Sequence, residues 1–206
     1  MHYLRATLSL CLLAMLAACS TLPSSSSKQT QQPSPASTLL QQQQQSRLAR
    51  IQQFSLQGRL GVQADGKGYS ATVLWQHSDS LDDIRLYSPL GSQLARIQKN
   101  VQGINLEDAQ GRVISGKDAE SLTQAVLGWR LPLNGLADWV LSRPANATMA
   151  SQTWDEAGLN NSLNEANWVM SYQGYQSTHG QMLPHKIALK NQRVQLKLIV
   201  EKWVLE

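Results

Sequence analysis

The chain has 206 residues, which suits one domain with an additional segment. Its hydrophobic fraction of 42% is enough for a substantial core, and its net charge of +4 comes without a block of Lys or Arg. Nucleic-acid-binding proteins concentrate positive charge on one stripe, so nucleic acid is not a predicted partner. The two cysteines, Cys11 and Cys19, both lie near the N-terminus, which leaves none for a disulfide or a thiolate metal site in the remaining chain.

The N-terminal segment has the features of a secretory signal. Arg5 precedes an apolar run from Leu8 to Leu16, and Ala17, Ala18 and Cys19 follow. The run is shorter than the roughly 20 residues that a membrane-spanning helix needs. Small residues directly before a cysteine resemble the lipobox of bacterial lipoproteins; the alternative is an ordinary signal peptide with an incidental cysteine.

The lipobox resemblance implies a cellular location as well as a modification. It implies that residues 1–18 are removed as a signal peptide and that Cys19 is acylated. Ser20 follows the cysteine, where an Asp would imply retention in the inner membrane. The predicted location is therefore the periplasmic face of the bacterial outer membrane, with Cys19 as the lipid anchor.

Residues 20–45 have low complexity. They contain four consecutive serines from Ser24, three prolines and five consecutive glutamines from Gln41. Few apolar side chains are available there to offset the entropy of ordering, so residues 19–45 are predicted to be a lipidated N-terminus and a flexible tether. Residues 46–206 are predicted to form a single domain. The stretch from Leu39 to Phe54 could become helical towards its end, as a short amphipathic helix around Leu48 and Ile51 that lies on the domain.

From Phe54 the hydrophobic period changes to two, which is typical of strands with one buried face. Turn residues such as Asp65 and Gly66 separate these runs. The alternating runs are Tyr69 to Trp75, Ile84 to Leu86, Ala95 to Ile97, Ile104 to Leu106, Trp168 to Tyr172, Ile187 to Leu189 and Val194 to Leu198. The pattern predicts an antiparallel meander.

Two helices are predicted to interrupt the strands. Ser115 with Asp118 could form a capping box for the first helix, and Gly128 is a stop signal. Asn134 could cap the second helix, which Pro144 would close.

Three further stretches, taken in order with the lipobox, resemble one family. They are Tyr87 to Ser92, Leu131 to Trp139, and the segment from Leu183 through Gln192 and Val194 to Trp203. Together they resemble the LolB family of outer-membrane lipoprotein receptors. The resemblance covers residues 46–206 and the lipobox.

The resemblance implies both a fold and a function. The fold would be an open, unclosed antiparallel β-barrel with a helical lid over an apolar cavity. The chain would accept lipoproteins from a LolA-like periplasmic carrier, shield their acyl chains and insert them into the outer membrane without nucleotide. Its partners would be the loaded carrier and outer-membrane phospholipid, and it would be a monomer without a cofactor.

The resemblance also assigns a role to the loop around Leu90. In the family, a leucine in a Pro-Leu-Gly loop projects into water and serves membrane insertion, and Pro89, Leu90 and Gly91 match that motif. Pro89 interrupts strand pairing and Gly91 permits a sharp turn, which would present Leu90 outwards. The alternative is that Leu90 folds back onto the core.

The acyl-chain cavity has ten candidate lining residues, chosen from the inward positions of strands and helices. Simple core packing is at least as good an interpretation for each one. The candidates are Val73, Trp75, Ile84, Leu86, Ile97, Leu106, Leu122, Trp139, Leu196 and Leu198.

Other classes of protein have less support. No nucleophile, metalloprotease or phosphate-loop motif is present, His77, His179 and His185 are scattered, and no metal site or enzyme activity is predicted. Asp82 and Asp83 would point to opposite faces of a strand, so they make a poor acid–base pair. The main alternative is a structural or assembly lipoprotein that binds a protein partner and carries no lipid.

Overall fold

The structure is a computed structural model that describes residues 33–206. Residues Pro33–Glu206 form one compact unit around a single apolar core. The predicted signal peptide and Cys19 lie outside the described residues, as does most of the predicted tether.

The described chain contains three helices and thirteen strands, numbered here in chain order. The helices are α1 (Pro35–Leu48), α2 (Ala119–Leu127) and α3 (Leu133–Val140). The strands are β1 (Phe54–Ala64), β2 (Lys67–Ser78), β3 (Leu81–Tyr87), β4 (Gln93–Asn100), β5 (Gly103–Asp108), β6 (Val113–Gly116), β7 (Ser151–Trp154), β8 (Asn160–Glu165), β9 (Trp168–Gln173), β10 (Gln176–Thr178), β11 (Gln181–Leu183), β12 (Lys186–Lys190) and β13 (Val194–Leu205).

Eleven strands form one antiparallel sheet in the order β6-β5-β4-β3-β2-β1-β13-β12-β9-β8-β7, and β10 with β11 forms a separate hairpin. The two outermost strands of the large sheet, β6 and β7, do not pair with each other. The sheet is therefore unclosed, as predicted. The centre is the long pairing of β1 with β2 and β13, to which the chain contributes strands from both its ends.

The alternating pattern of the sequence explains which face of the sheet is buried. Val73 and Trp75 of β2 lie opposite Leu86 and Ile84 of β3, and all four side chains are buried. The β1–β2 turn has positive φ at both Asp65 (48°) and Gly66 (75°), the geometry that favours Asp-Gly in two-residue hairpins. The turn residues and the period-two pattern are thus both consistent with the observed pairing of β1, β2 and β3.

Helix α1 corrects the predicted tether. Residues from Pro35 to residue 45 are helical, so the flexible tether cannot extend to residue 45. The glutamines on the inner side of α1 are buried and find polar partners: Gln41 Nε2 donates to Gln152 Oε1 (3.2 Å) and Gln44 Nε2 to the Met182 carbonyl (2.9 Å). The prediction missed this because glutamines are buried only where the opposing surface supplies acceptors.

Helices α2 and α3 follow β6, as predicted, but their caps differ from the predictions. Asp118 itself caps α2, accepting from the backbone N–H groups of Glu120 and Ser121, while Ser115 lies in β6. Gly128 ends α2 in the left-handed conformation, as predicted. Asn134 does not cap α3: it lies inside the helix at a kink, where it has ψ 121°.

Candidate functional site

The concave face of the sheet and helix α3 enclose a small apolar cavity. Strands β1, β2, β3, β12 and β13 form its floor, while α3 and the residues before it form its cover. The lining consists of Leu56, Leu60, Val73, Trp75, Ile84, Leu86, Trp129, Leu131, Leu136, Val140, Leu189, Leu196 and Leu198. All of these side chains are apolar, and the volume is about 40 Å³.

Six of the ten predicted cavity residues line this space. They are Val73, Trp75, Ile84, Leu86, Leu196 and Leu198. All six are buried, and they come from β2, β3 and β13, whose inward positions face α3. Alternation along these strands therefore placed all six on the buried face of the sheet.

The other four predicted cavity residues do not line it. Ile97 and Leu106 are fully buried, but they pair with each other on β4 and β5, and α2 packs against β5. Leu122 is half-buried and lies over Gly116 of β6. Trp139 is buried, but its indole N–H donates to Glu165 of β8, and it is not among the residues that line the cavity.

Sequence reasoning missed seven lining residues. Leu56, Leu60 and Leu189 lie at alternate positions on β1 and β12, so periodicity contained their signal. Trp129 and Leu131 lie in the connection between α2 and α3, where no period exists. Leu136 and Val140 are on α3, four residues apart and therefore on one helix face.

The connection between α2 and α3 is fixed by a buried threonine. Thr123 Oγ1 donates to the Ala119 carbonyl (2.9 Å) and accepts from the Leu131 N–H (2.9 Å). The chain between the two helices is thereby held against α2, which places Leu131 over the cavity. Helices α2 and α3 thus form one linked cover, called here the α2–α3 cover (residues 119–140).

The C-terminal part of the α2–α3 cover is held by buried polar groups. Trp139 Nε1 donates to Glu165 Oε2 (2.9 Å), and the Tyr172 hydroxyl donates to the Trp139 carbonyl (2.9 Å). Burial raises the pKa of Tyr172 well above its usual value, so the hydroxyl keeps its proton and remains a donor. The other end of α3 is held by a bond at the surface, from Lys99 Nζ to Asn134 Oδ1 (3.1 Å).

The Leu90 loop, residues 88–92, is held by three hydrogen bonds within the loop. The Gly91 N–H donates to the Ser88 carbonyl (2.9 Å), the Ser88 N–H to the Ser92 carbonyl (2.8 Å), and the Ser92 N–H to Ser88 Oγ (3.1 Å). Gly91 has φ +88°, which a residue with a Cβ adopts only with strain. Leu90 is 96% exposed at the tip of this loop, so it does not fold back onto the core.

Charged residues of β3 and β4 are arranged on two faces. Asp82 lies on the concave side, where it accepts from Trp75 Nε1 (3.0 Å) and lies 2.7 Å from His77 Nδ1. Asp83 lies on the convex side between Arg85 and Arg96. The two carboxylates therefore do not form a pair, as their alternation predicted.

Two further properties bear on the class of protein. None of the helices in residues 33–206 has the length and apolar composition that a membrane span requires. Within the same range, no group of three or more His, Cys, Asp and Glu side chains could hold a metal ion.

The family model described as outer membrane lipoprotein LolB matches residues 52–203. The chain belongs to the LolB family.

LolB relatives match most of the chain. The outer-membrane lipoprotein LolB of Nitrosomonas europaea is 32% identical over 154 residues, which cover 74% of this chain and 73% of the relative. That of Stutzerimonas stutzeri is 29% identical over 204 residues, covering 98% and 97%. The family assignment makes the chain an outer-membrane lipoprotein involved in lipoprotein localisation.

Solved structures support the fold. A LolA superfamily protein from Nitrosomonas europaea aligns with a TM-score of 0.51 at 11% identity, covering 80% of this chain and 93% of that chain. A DUF1329 family protein from Desulfovibrio piger aligns with a TM-score of 0.53 at 7% identity, covering 84% and 93%. At these identities the likeness concerns the fold alone.

Proposed function

We propose that this protein receives lipoproteins from a LolA-like periplasmic carrier and inserts them into the outer membrane, to which acylated Cys19 anchors it. No nucleotide takes part, and the protein acts as a monomer. Leu90 is the observation that carries the proposal. A leucine that is 96% exposed at the tip of a hydrogen-bonded loop has no role in the core, and the loop has the Pro-Leu-Gly motif of the family.

The energetics of Leu90 suit a transient membrane contact. Moving one leucine from water into an apolar environment is worth about 1.5–3 kcal/mol. This is enough to favour contact with the bilayer and small enough to be reversed after each delivery. The loop is already ordered by its three internal hydrogen bonds, so contact requires little additional ordering.

The apolar cavity is proposed to be the place where acyl chains are held. Acyl chains exposed to water cost about 0.8 kcal/mol per methylene, so a carrier needs an apolar space for them. The cavity of about 40 Å³ is far smaller than the roughly 300–1,000 Å³ of ligand pockets. On this proposal the structure corresponds to a closed state, and binding requires the α2–α3 cover to move away from the sheet.

The same small volume favours the alternative function, a structural lipoprotein with a filled core and a protein partner. The two functions differ in what the interior can take up. A hydrophobic fluorescent probe that fatty acid displaces competitively would support the carrier. Absence of uptake at probe concentrations that load a LolA-type carrier would support the structural role.

The direct test is a transfer assay with a purified carrier–lipoprotein complex and Leu90→Glu. The variant is expected to accept lipoprotein from the carrier at the normal rate. Its insertion of lipoprotein into membranes is expected to fall at least tenfold, because a carboxylate does not enter the bilayer. Acceptance and insertion are measured separately, by co-purification and by recovery of cargo with the membranes.

Val101→Glu is the matched control. Val101 is 92% exposed in the β4–β5 turn at the other end of the same strand, β4. The control should insert cargo normally. Normal insertion by Leu90→Glu would overturn the role of Leu90, and failure of the unmodified protein to accept cargo would overturn the proposed function.

A further inference from the structure

A second exposed apolar side chain lies at the same end of the sheet as Leu90. Met149 is 76% exposed in the segment before β7. It precedes Ser151, which pairs with Asn164 beside the β8–β9 turn. The registers place that turn at the same end as the β12–β13, β1–β2 and β3–β4 connections, called here the Leu90 end.

The backbone that leads to Met149 is held by the buried carboxylate of Glu165. Glu165 is 7% exposed, and besides Trp139 it accepts from the backbone N–H groups of Ala145 (2.9 Å) and Asn146 (2.7 Å). The Met149 N–H then donates to the Asn146 carbonyl (3.1 Å). Met149 is thus presented on an ordered turn, as Leu90 is.

The Leu90 end also carries exposed positive charge. Lys67 begins β2 at the β1–β2 turn, and Lys190 and Arg193 flank the β12–β13 turn. None of the three forms an ion pair with another residue in the described range 33–206. Met149 and Arg193 border one open groove of about 1080 Å³, so apolar and cationic groups adjoin there.

The opposite end of the sheet has acidic strand connections, although Lys186 begins β12 there. Its strand connections contain Asp79, and Asp155 with Glu156, and within residues 33–206 no connection between paired strands at that end contains Lys or Arg. Val101 is an exposed apolar tip there as well, but no exposed cation lies in its turn. Within residues 33–206, the connections between paired strands that contain a cation, those with Arg112 and Arg193, lie at the Leu90 end, together with the tips Leu90 and Met149 and the acidic Asp65.

We propose that the Leu90 end as a whole docks on a bilayer surface that contains anionic phospholipid, with Met149 as a second inserted side chain and Lys190 and Arg193 as the contacts to lipid phosphate. The inference rests on the proposed role of Leu90 and extends it. One inserted tip leaves the domain free to rotate about the point of contact. A second tip on a distant strand connection, with cations beside it, fixes the orientation in which the cavity meets the membrane.

The test uses the soluble chain 33–206, which is one compact unit with its own core. Its binding to phosphatidylcholine vesicles, with and without phosphatidylglycerol, is measured by co-sedimentation. Met149→Glu should lower binding to both vesicle types by roughly tenfold, because an apolar contact is lost. Lys190→Glu with Arg193→Glu should lower binding by at least roughly 25-fold on phosphatidylglycerol vesicles only, since each lost cation contributes about fivefold near an anionic surface and the two added carboxylates are repelled.

Matched controls lie elsewhere on the same elements. Val101→Glu alters an exposed tip at the opposite end, and Lys186→Glu alters an exposed lysine at the other end of β12. Both should bind like the unmodified chain. All substituted side chains are exposed, so circular dichroism should show unchanged folding.

The outcomes separate this inference from the proposed function. If Leu90→Glu loses binding while Met149→Glu and the double variant keep it, the second contact is overturned and the role of Leu90 stands. If Met149→Glu loses binding while Leu90→Glu keeps it, docking by this end stands and the role of Leu90 fails. Equal losses for Val101→Glu and Met149→Glu would overturn the docking face.

Discussion

Asp83 shows at the scale of single residues how the outer face of the sheet is stabilised. Its carboxylate is 5% exposed and accepts from Arg96 Nε (3.0 Å) and Nη2 (2.7 Å), and from Arg85 Nη2 (2.9 Å). The hydrogen bond from Arg96 is the main cause that holds the pKa of Asp83 below its usual value of 3.8, against the opposing effect of burial. The pairing also means that Arg85 and Arg96 are not free cations for an acidic partner.

Asp83→Asn is expected to lower the free energy of unfolding by about 1–3 kcal/mol at neutral pH, because charge-assisted hydrogen bonds are lost and two guanidinium groups remain. The folded-state pKa is depressed, so the contribution of Asp83 is complete above its unfolded pKa and disappears as the pH falls through the folded pKa. The difference between variant and parent should therefore shrink below about pH 3.8. Urea unfolding at several pH values measures it.

Asp79→Asn is the control, since Asp79 is exposed in the β2–β3 turn. It should change the unfolding free energy little at any pH. A difference for Asp83→Asn that stays constant down to the acid limit would contradict the ionic origin of the effect.

Helix α1 illustrates what holds a polar element on the sheet. Its glutamines bind backbone and side-chain groups. Arg143 donates to the carbonyl of Leu48, the last residue of α1, and to that of Ile51 just beyond it. Gly158, in the β7–β8 turn, allows the helix backbone to approach: a Cβ there would lie 2.4 Å from the Gln41 nitrogen. Gly158 also has φ +75°, so both space and conformation require glycine.

Gly158→Ala is expected to displace α1 and to destabilise the domain by about 1–3 kcal/mol through backbone strain and the lost approach. Arg47 and Arg50 lie at the end of α1 and just beyond it, so they should become more sensitive to trypsin. Limited proteolysis with identification of the cut sites measures this. Gly111→Ala tests strain alone, since Gly111 has φ +77° and no atoms within 4 Å of its Cβ position, and it should leave the α1 sites protected.

At the scale of the whole molecule, the question is how much of the interior is filled by the core and how much is left as a cavity for the proposed acyl chains. The interior is almost filled by its own side chains, and the α2–α3 cover is fixed by buried polar bonds at Trp139 and by an exposed bond at Asn134. The end at Asn134 is the easier one to release, because its bond is exchanged for bonds to water. The opening that the proposed function requires is expected to begin there.

Leu136→Ala is expected to lower the free energy of unfolding by about 2–5 kcal/mol, as large-to-small changes in cores do. It should also increase uptake of a hydrophobic fluorescent probe, because Leu136 lines the cavity and its truncation enlarges it. Leu163→Ala is the matched control: Leu163 is fully buried but does not line the cavity. It should lower the free energy of unfolding by a similar amount without increasing probe uptake. Equal uptake by both variants would indicate general loosening rather than a specific site.

The sequence by itself determined the features that depend on local or periodic chemistry. Seven strands, β2 to β5, β9, β12 and β13, follow from alternation, the β1–β2 turn from Asp65 and Gly66, and the end of α2 from Gly128. The exposure of Leu90 was implied by the family resemblance, since its turn residues alone left open that it folds back onto the core. Only the tertiary structure decided which inward residues meet α3 and which lie under α2. It also decided that glutamines of α1 are buried. The physical reason is range: alternation fixes the face of a strand on which a side chain lies, but its neighbours across the core depend on how distant elements pack.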